Sequence, residues 1–137
     1  MENISFVFQN TKLYKGTLLD NLLEGNPNAS LDKVNDALHT AMCRDIVDKL
    51  QNGINTLIGT NGVFLSGGES QRIAIARAIL KDAPIILLDE ATAFADPENE
   101  YMIQSALNEL ARNKTVILIA HRLSTVKNVD CIYVMSN

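Results

Sequence analysis

The second half of the chain alternates between short apolar runs and a helix-forming segment, and this order constrains the fold strongly. The run Ile85–Leu88 is unbroken and apolar, as expected for a strand covered on both faces of a sheet. Asp96-Pro97-Glu98 has the pattern of a helix start, and Thr115–Ala120 is a second apolar run. A strand, a helix and a strand in this order predict a parallel sheet, which binds ligands at the carboxyl ends of its strands.

Shorter patterns predict the other elements. Phe6-Val7-Phe8 is a predicted strand, and Cys131–Met135 is the third predicted strand of the second half of the chain. A short helix is predicted from Asp45 to Gln51. Ser30 is suited to cap another helix, whose apolar face would hold Val34, Ala37, Leu38 and Ala41.

Length and charge narrow the class of protein. The 137 residues, 47% of them hydrophobic, suffice for one domain with a core. A net charge of −4 argues against a nucleic-acid binder that works by neutralising phosphates. The apolar runs are too short for a membrane span, and no signal peptide is recognisable. Cys43 and Cys131 are expected to be buried in a reducing cytosol, so a soluble cytosolic domain is the default.

Leu65–Arg72 reads Leu-Ser-Gly-Gly-Glu-Ser-Gln-Arg at the threshold of an apolar-periodic run. Ser66 and Glu69 have the spacing of a capping box, which is one interpretation. The other is an anion site, because Ser66, Gly67 and Gly68 would place a hydroxyl and bare N–H groups at a helix N-terminus.

Polar residues follow the predicted strands. Asp89 and Glu90 either begin a loop or hold Mg²⁺ and position a reacting water. His121 is either a structural group or a donor to a phosphate at the same sheet edge. Gln9 by itself is more typical of a turn residue than of a ligand.

Together these segments resemble the nucleotide-binding domain of an ABC transporter, most closely of the exporter type. Gly16-Thr17, Asp20-Asn21 and Ala120–Thr125 point to exporters. The matched motifs, in the order of the family, are Phe8-Gln9 as the Q-loop, Leu65–Glu69 as the signature, Ile85–Glu90 as Walker B, Ala95-Asp96 as the end of the D-loop and His121 as the switch histidine.

The resemblance implies an α/β fold of the P-loop NTPase type, with a partial core of parallel strands plus an α-helical subdomain. Residues 1–9 would form a core strand and the Q-loop, and residues 10–80 the helical subdomain with the signature motif and its helix. Residues 81–137 would form a partial catalytic core with Walker B, the D-loop and the switch histidine. ATP and Mg²⁺ are the implied cofactors.

The resemblance also implies roles for the residues at the strand ends. Gln9 would touch Mg²⁺ or the attacking water, and Asp89 would support Mg²⁺. Glu90 would polarise the water, and His121 would hold the γ-phosphate. Glu90, His121 and Gln9 are therefore the expected catalytic residues, and Asp89 and Gln9 the expected metal ligands.

The signature residues would bind ATP held by the opposite subunit, with Ser66 and Gly68 at the γ-phosphate and Gly67 and Glu69 beside them. Asp96 would help to couple the two sites of the dimer. Phosphoryl transfer depends on positioning and charge neutralisation, which groups of these kinds supply. Glu69 stands where the family more often has glutamine.

No Gly-x-x-x-x-Gly-Lys-Ser/Thr occurs in the chain, so we expect an internal segment of a longer protein that is inactive by itself. The longer protein would be a transport ATPase at the cytoplasmic face of the cell membrane. Its partners would be membrane domains and a second nucleotide-binding domain, identical or different, in a head-to-tail dimer, with no nucleic acid. Alternatives are a non-catalytic module that docks membrane domains or supplies the signature motif in trans, and, less favoured, a soluble ABC ATPase of DNA repair or chromosome structure.

Overall fold

The structure is a computed structural model that describes residues 3–8, 11–59, 61–89, 97–119 and 129–135. This part of the chain forms five helices and two small sheets. The strands are β1 (Ile4–Phe8), β2 (Gly16–Thr17), β3 (Leu57–Ile58), β4 (Ile85–Asp89) and β5 (Thr115–Ile119). The helices are α1 (Leu18–Leu23), α2 (Leu31–Thr40), α3 (Arg44–Lys49), α4 (Gly67–Lys81) and α5 (Pro97–Ala111).

The larger sheet is parallel, which confirms the prediction from the strand–helix–strand pattern, and its strand order is β1-β4-β5. Its register is even: Phe8 pairs with Asp89, and Asp89 pairs with Ile119. These residues are the last of their strands, so all three strands end at the same edge of the sheet. That edge is where a parallel sheet of this kind holds its ligands.

Helix α4 is the centre of the packing. It contacts α1, α2, α5 and β1. Its side chains are buried around most of its circumference, which explains why its apolar residues do not form a simple stripe. Helix α5 instead buries the single face that the sequence predicts, formed by Ile103, Ala106, Leu107 and Leu110.

The predicted start of α2 is confirmed, and α3 is shorter than predicted. The hydroxyl of Ser30 accepts a hydrogen bond from the Lys33 N–H at 3.4 Å. Helix α3 runs from Arg44 to Lys49 and is followed by a single 3-10 turn at Gly53–Asn55. Gly53 has a φ of +51°, a left-handed conformation that glycine adopts without steric cost.

A two-stranded antiparallel ladder, β2 with β3, was not foreseen in the helical region. The buried side chain of Asn21 secures the segment before it. Its Oδ1 accepts from the Tyr14 N–H at 2.7 Å, and its amide donates to the carbonyls of Tyr14 and Thr17 at 3.0 Å each. Arg77 of α4 donates to the Asn21 carbonyl at 2.8 Å, so this ladder is tied to the central helix.

Two sequence expectations at the end of the chain are wrong. Cys131–Met135 forms no strand, and Tyr133 and Met135 are 87% and 94% exposed. Cys131 is exposed, whereas Cys43 is buried as expected. An apolar run favours a strand only where another strand offers a hydrogen-bonding edge, and none of the described strands pairs with this segment.

The expectation that β4 is covered on both faces is also wrong for the described residues. Ile86 and Leu88 are buried, but Ile85 and Leu87 on the opposite face are only half-buried. In register with Leu87, Phe6 and Ile117 are 38% and 52% exposed. An unbroken apolar run indicates that both faces of the strand are apolar. Whether each face is covered depends on which other elements pack against it. Among the described residues, no helix is long and apolar enough to cross a membrane.

Candidate functional site

The start of α4 is a complete capping box, as its sequence predicts. Ser66 is the N-cap residue, and its hydroxyl oxygen accepts from the Glu69 N–H at 3.3 Å. In return, Glu69 Oε2 accepts from the Ser66 N–H at 2.8 Å. This reciprocal pair satisfies two backbone donors that the helix itself leaves without partners.

The capping box leaves further donors at this helix end. A hydroxyl can donate while it accepts, so the Ser66 O–H remains able to donate to an anion. The N–H groups of Gly67 and Gly68 belong to the first turn, where the helix offers no acceptor. Ser66 and Gly67 are exposed, whereas Gly68 is buried: a Cβ at Gly68 would lie 3.0 Å from Asn99 Cγ of α5. The chemistry of these donors fits a phosphate group.

Helix α3 is bound to α4 by two ion pairs. The Lys49 ammonium contacts Glu69 Oε1. Four residues before Lys49, the Asp45 carboxylate accepts hydrogen bonds from both terminal nitrogens of Arg72: Nη1 donates to Oδ1 at 2.7 Å and Nη2 to Oδ2 at 2.9 Å. Arg72 is buried and also donates to the Met42 carbonyl. In each of these two pairs, a carboxylate of one helix meets a cation of the other.

The same contacts set the ionisation of the two carboxyl groups. Burial raises the pKa of Glu69, but the hydrogen bonds from Lys49 and Ser66 outweigh it and leave the pKa below its ordinary value. The hydrogen bonds from Arg72 hold the pKa of Asp45 below its ordinary value against a smaller effect of burial. Both groups are therefore charged at neutral pH.

The carboxyl edge of the sheet is described only in part. Asp89 lies at the end of β4, on the same half-buried face as Leu87, between the last residues of β1 and β5. The remaining predicted site residues, Gln9, Glu90, Asp96 and His121, lie outside the described residues. In sequence, Gln9 directly follows β1 and Glu90 directly follows β4. Within the described ranges, no three His, Cys, Asp or Glu side chains group as metal ligands.

Sequence reasoning missed Lys49, Asp45 and Arg72. The signal was present but ambiguous: Asp45 and Lys49 share one face of α3 by their spacing, and Glu69 and Arg72 share one face of α4. Spacing within a helix does not reveal which face of another helix it meets. These residues lie 20 or more positions apart from their partners, so only the tertiary structure pairs them.

A parallel sheet with an acidic strand end, joined to a helical region that presents a capped glycine-rich helix start, defines a partial core of the P-loop NTPase fold. The family model described as ABC transporter matches residues 1–93. The chain belongs to the ABC transporter family.

Curated relatives match nearly the whole chain. It is 49% identical over 132 residues to the mycobactin import ATP-binding/permease protein IrtA of Mycolicibacterium smegmatis, covering 96% of this chain and 15% of that protein. It is 47% identical over 135 residues to the ATP-dependent lipid A-core flippase of Photorhabdus laumondii, covering 98% of this chain and 23% of that protein. The chain thus spans less than a quarter of the length of either relative.

Proposed function

We propose that the chain is part of the ATP-binding domain of an ABC transporter of the exporter type, and that it drives transport in the complete protein by helping to bind and hydrolyse ATP. The observation that carries the proposal is the capped start of α4, where the exposed Ser66 and Gly67 offer a hydroxyl and a backbone N–H in a chain of this family. The transport direction rests on the exporter-like motifs of the sequence. One relative is named an import protein, so direction is the part to be tested separately.

The proposed chemistry divides between two subunits. Ser66 and Gly68 bind the γ-phosphate of ATP held by a second nucleotide-binding domain in a head-to-tail dimer, with Gly67 beside them. Hydrogen bonds from these groups strengthen as charge develops on the transferring phosphoryl group. The capping function of Ser66 is compatible with this role, because a hydroxyl that accepts from the Glu69 N–H can still donate its own proton.

At the sheet edge, we propose that Asp89 supports Mg²⁺ together with Gln9, and that Glu90 polarises the attacking water. His121 would hold the γ-phosphate and Asp96 would couple the two sites. Mg²⁺ bridges phosphate oxygens and neutralises their charge when bound. Asp89 supports this assignment by its place at the carboxyl end of the central strand of the sheet, next to the ends of β1 and β5.

We propose that the membrane domains of the transporter, at the cytoplasmic face of the cell membrane, dock on the helical subdomain. A groove of about 310 Å³ lies there, lined by segments 11–13, 58–59 and 63–65 and the first residues of α4. Phe64, one of its lining residues, is 88% exposed. An exposed aromatic side chain at a groove is typical of an interaction surface.

A serine-to-alanine pair of variants tests the proposed site in the complete transporter. Ser66→Ala should lower ATP-dependent association of the nucleotide-binding domains and ATPase activity about tenfold, the loss expected for one hydrogen bond to a charged group. Thr17→Ala is the matched control, because Thr17 and Asp20 form an equivalent capping box at α1. Equal effects of the two variants would reduce Ser66 to a helix cap and refute the proposed site.

We also propose that the chain by itself neither binds ATP tightly nor hydrolyses it, because the sequence lacks the glycine-rich lysine motif that holds the β- and γ-phosphates. Calorimetry of the chain with Mg-ATP should give no heat of binding at micromolar concentrations. Micromolar affinity would overturn this part of the proposal.

The groove also favours a second candidate, in which the chain is a non-catalytic interaction module that docks membrane domains or supplies the signature motif in trans. Glu90→Gln in the complete protein separates the two candidates. A catalytic role predicts that ATP still binds while turnover is lost. Unchanged hydrolysis would favour the interaction module.

A further inference from the structure

The glutamate of the signature motif places a negative charge beside the proposed phosphate site. Glu69 lies in the first turn of α4, three residues after Ser66, and its side chain is 15% exposed. An anion held by Ser66 and Gly67 must lie within a turn of this carboxylate. Like charges at such a distance repel each other, and partial burial reduces the screening by water.

The structure shows which groups contact the Glu69 carboxylate. Glu69 Oε2 accepts from the Ser66 N–H, and Oε1 contacts the Lys49 ammonium, so each oxygen has a partner within the chain. The Lys49 side chain is 46% exposed, which leaves part of its positive charge facing solvent beside Glu69. Against the effect of burial, the hydrogen bonds from Lys49 and Ser66 hold the pKa of Glu69 below its ordinary value, so the carboxylate that Lys49 contacts is charged at neutral pH.

The position of Lys49 is determined by the rest of α3. Ile46 is fully buried, and the paired Asp45 and Arg72 hold the preceding turn of the helix against α4. Lys49 follows Asp45 by one helical turn, on the same face, and therefore meets Glu69. The lysine is thus directed to the start of α4 by the packing of its own helix and by its own ion pair.

Resting on the proposed function, we propose that Lys49 is a positioning residue that compensates the charge of Glu69 and so makes this glutamate form of the signature compatible with phosphate binding. Glu69 then acts as the second half of the capping box and does not bind the nucleotide. Lys49 acts through Glu69, by removing the repulsion that the carboxylate would exert on the anion.

A double-mutant cycle in the complete transporter tests this role. Two quantities are measured: the ATP concentration for half-maximal association of the nucleotide-binding domains, followed by energy transfer between fluorophores, and KM and kcat of hydrolysis. Lys49→Met should raise the association concentration and KM about tenfold and leave kcat less affected, because an uncompensated charge opposes binding. In a Glu69→Gln background, the same Lys49→Met change should alter both by less than about twofold.

Salt and a control lysine sharpen the result. The loss of association caused by Lys49→Met should be smaller in high salt, because mobile ions screen the repulsion between the Glu69 carboxylate and the phosphate. Lys33→Met removes an exposed lysine of α2 and should not change the association. Lys49→Arg keeps the charge and should behave as the unaltered protein, and Lys49→Gln serves if the methionine variant does not fold.

An equal loss from Lys49→Met in both backgrounds would overturn the proposal, because Lys49 would then act independently of the Glu69 charge. An effect no larger than that of Lys33→Met would overturn it as well. Ser66→Ala in the same assay separates the two levels of inference: if it has no effect beyond that of Thr17→Ala, the proposed phosphate site itself fails. If Ser66→Ala impairs association and Lys49→Met does not, only the charge-compensating role of Lys49 fails.

Discussion

Removing the carboxylate of Asp45 should destabilise the chain more than removing the arginine that it holds. The Arg72 side chain is 2% exposed and the Asp45 side chain 52% exposed. Asp45→Ala leaves a buried guanidinium with the Met42 carbonyl and the weakly accepting sulfur of Met102. Breaking a buried pair in this way costs about 3–5 kcal/mol, and the retained carbonyl places the expected loss at about 3 kcal/mol.

The opposite change is milder because it leaves no buried charge. In Arg72→Met, the half-exposed Asp45 carboxylate regains water, and the methionine fills most of the vacated volume beside Met102. The expected loss is about 1–2 kcal/mol, mainly the hydrogen bonds. The double variant should therefore be more stable than Asp45→Ala alone.

Urea unfolding of the chain measures this asymmetry. With a slope of about 2 kcal/mol per molar urea, Asp45→Ala should lower the midpoint by about 1.5 M and Arg72→Met by less than about 1 M. Asp48→Ala, an exposed position of the same helix, is the control and should change the free energy of unfolding by less than about 0.5 kcal/mol. The reasoning is refuted if Asp45→Ala costs no more than Arg72→Met, or if the double variant loses the sum of both.

Three further outcomes are expected. The folded-state pKa values of Asp45 and Glu69 lie below their ordinary values of 3.8 and 4.5. The stability that their ion pairs contribute should therefore be fully present above about pH 5 and lost as the pH falls through the folded-state pKa values. Urea midpoints that do not decrease in acid would contradict this. Burial raises the pKa of Cys43 to about 12. Iodoacetamide at pH 8 should therefore modify the exposed Cys131 in the native chain and Cys43 only in urea, as mass spectrometry can establish. Equal rates of modification of the two cysteines in the native chain would argue against the burial of Cys43. In Gly25→Ala, the new Cβ would lie 2.2 Å from the Arg77 carbonyl oxygen, so the free energy of unfolding should fall by about 1–3 kcal/mol, and an unchanged midpoint would be inconsistent with that close approach.

Local patterns predicted several of the elements, because the causes of those elements lie within a few residues. Ser66 and Glu69 form the capping box that their spacing predicts, and Ser30 begins α2. The apolar face of α5 and the parallel pairing of β4 with β5 follow from periodicity and element order. The division of the chain into 1–9, 10–80 and 81–137, and the roles assigned to the site residues, stay predictions.

The family resemblance was also present in the sequence alone, since it depends on ordered motifs and not on their spatial arrangement. The match over residues 1–93 confirms it. The structure shows that the two interpretations of Ser66, a helix cap and a hydrogen-bond donor to a phosphate, are compatible. Its hydroxyl accepts a hydrogen bond as the cap and would donate one to the phosphate.

The sequence by itself thus determined the starts of α2 and α4, the parallel arrangement of the sheet and the family, all of which depend on interactions between near neighbours or on the order of elements and motifs. Only the tertiary structure decided that Lys49 meets Glu69, that Asp45 holds Arg72, and that Cys131–Met135 remains exposed without a strand partner. The physical reason is that charge pairing and coverage of an apolar face depend on which surfaces the fold brings together. Residues 20 or more positions apart carry no sign of that contact in their own local pattern.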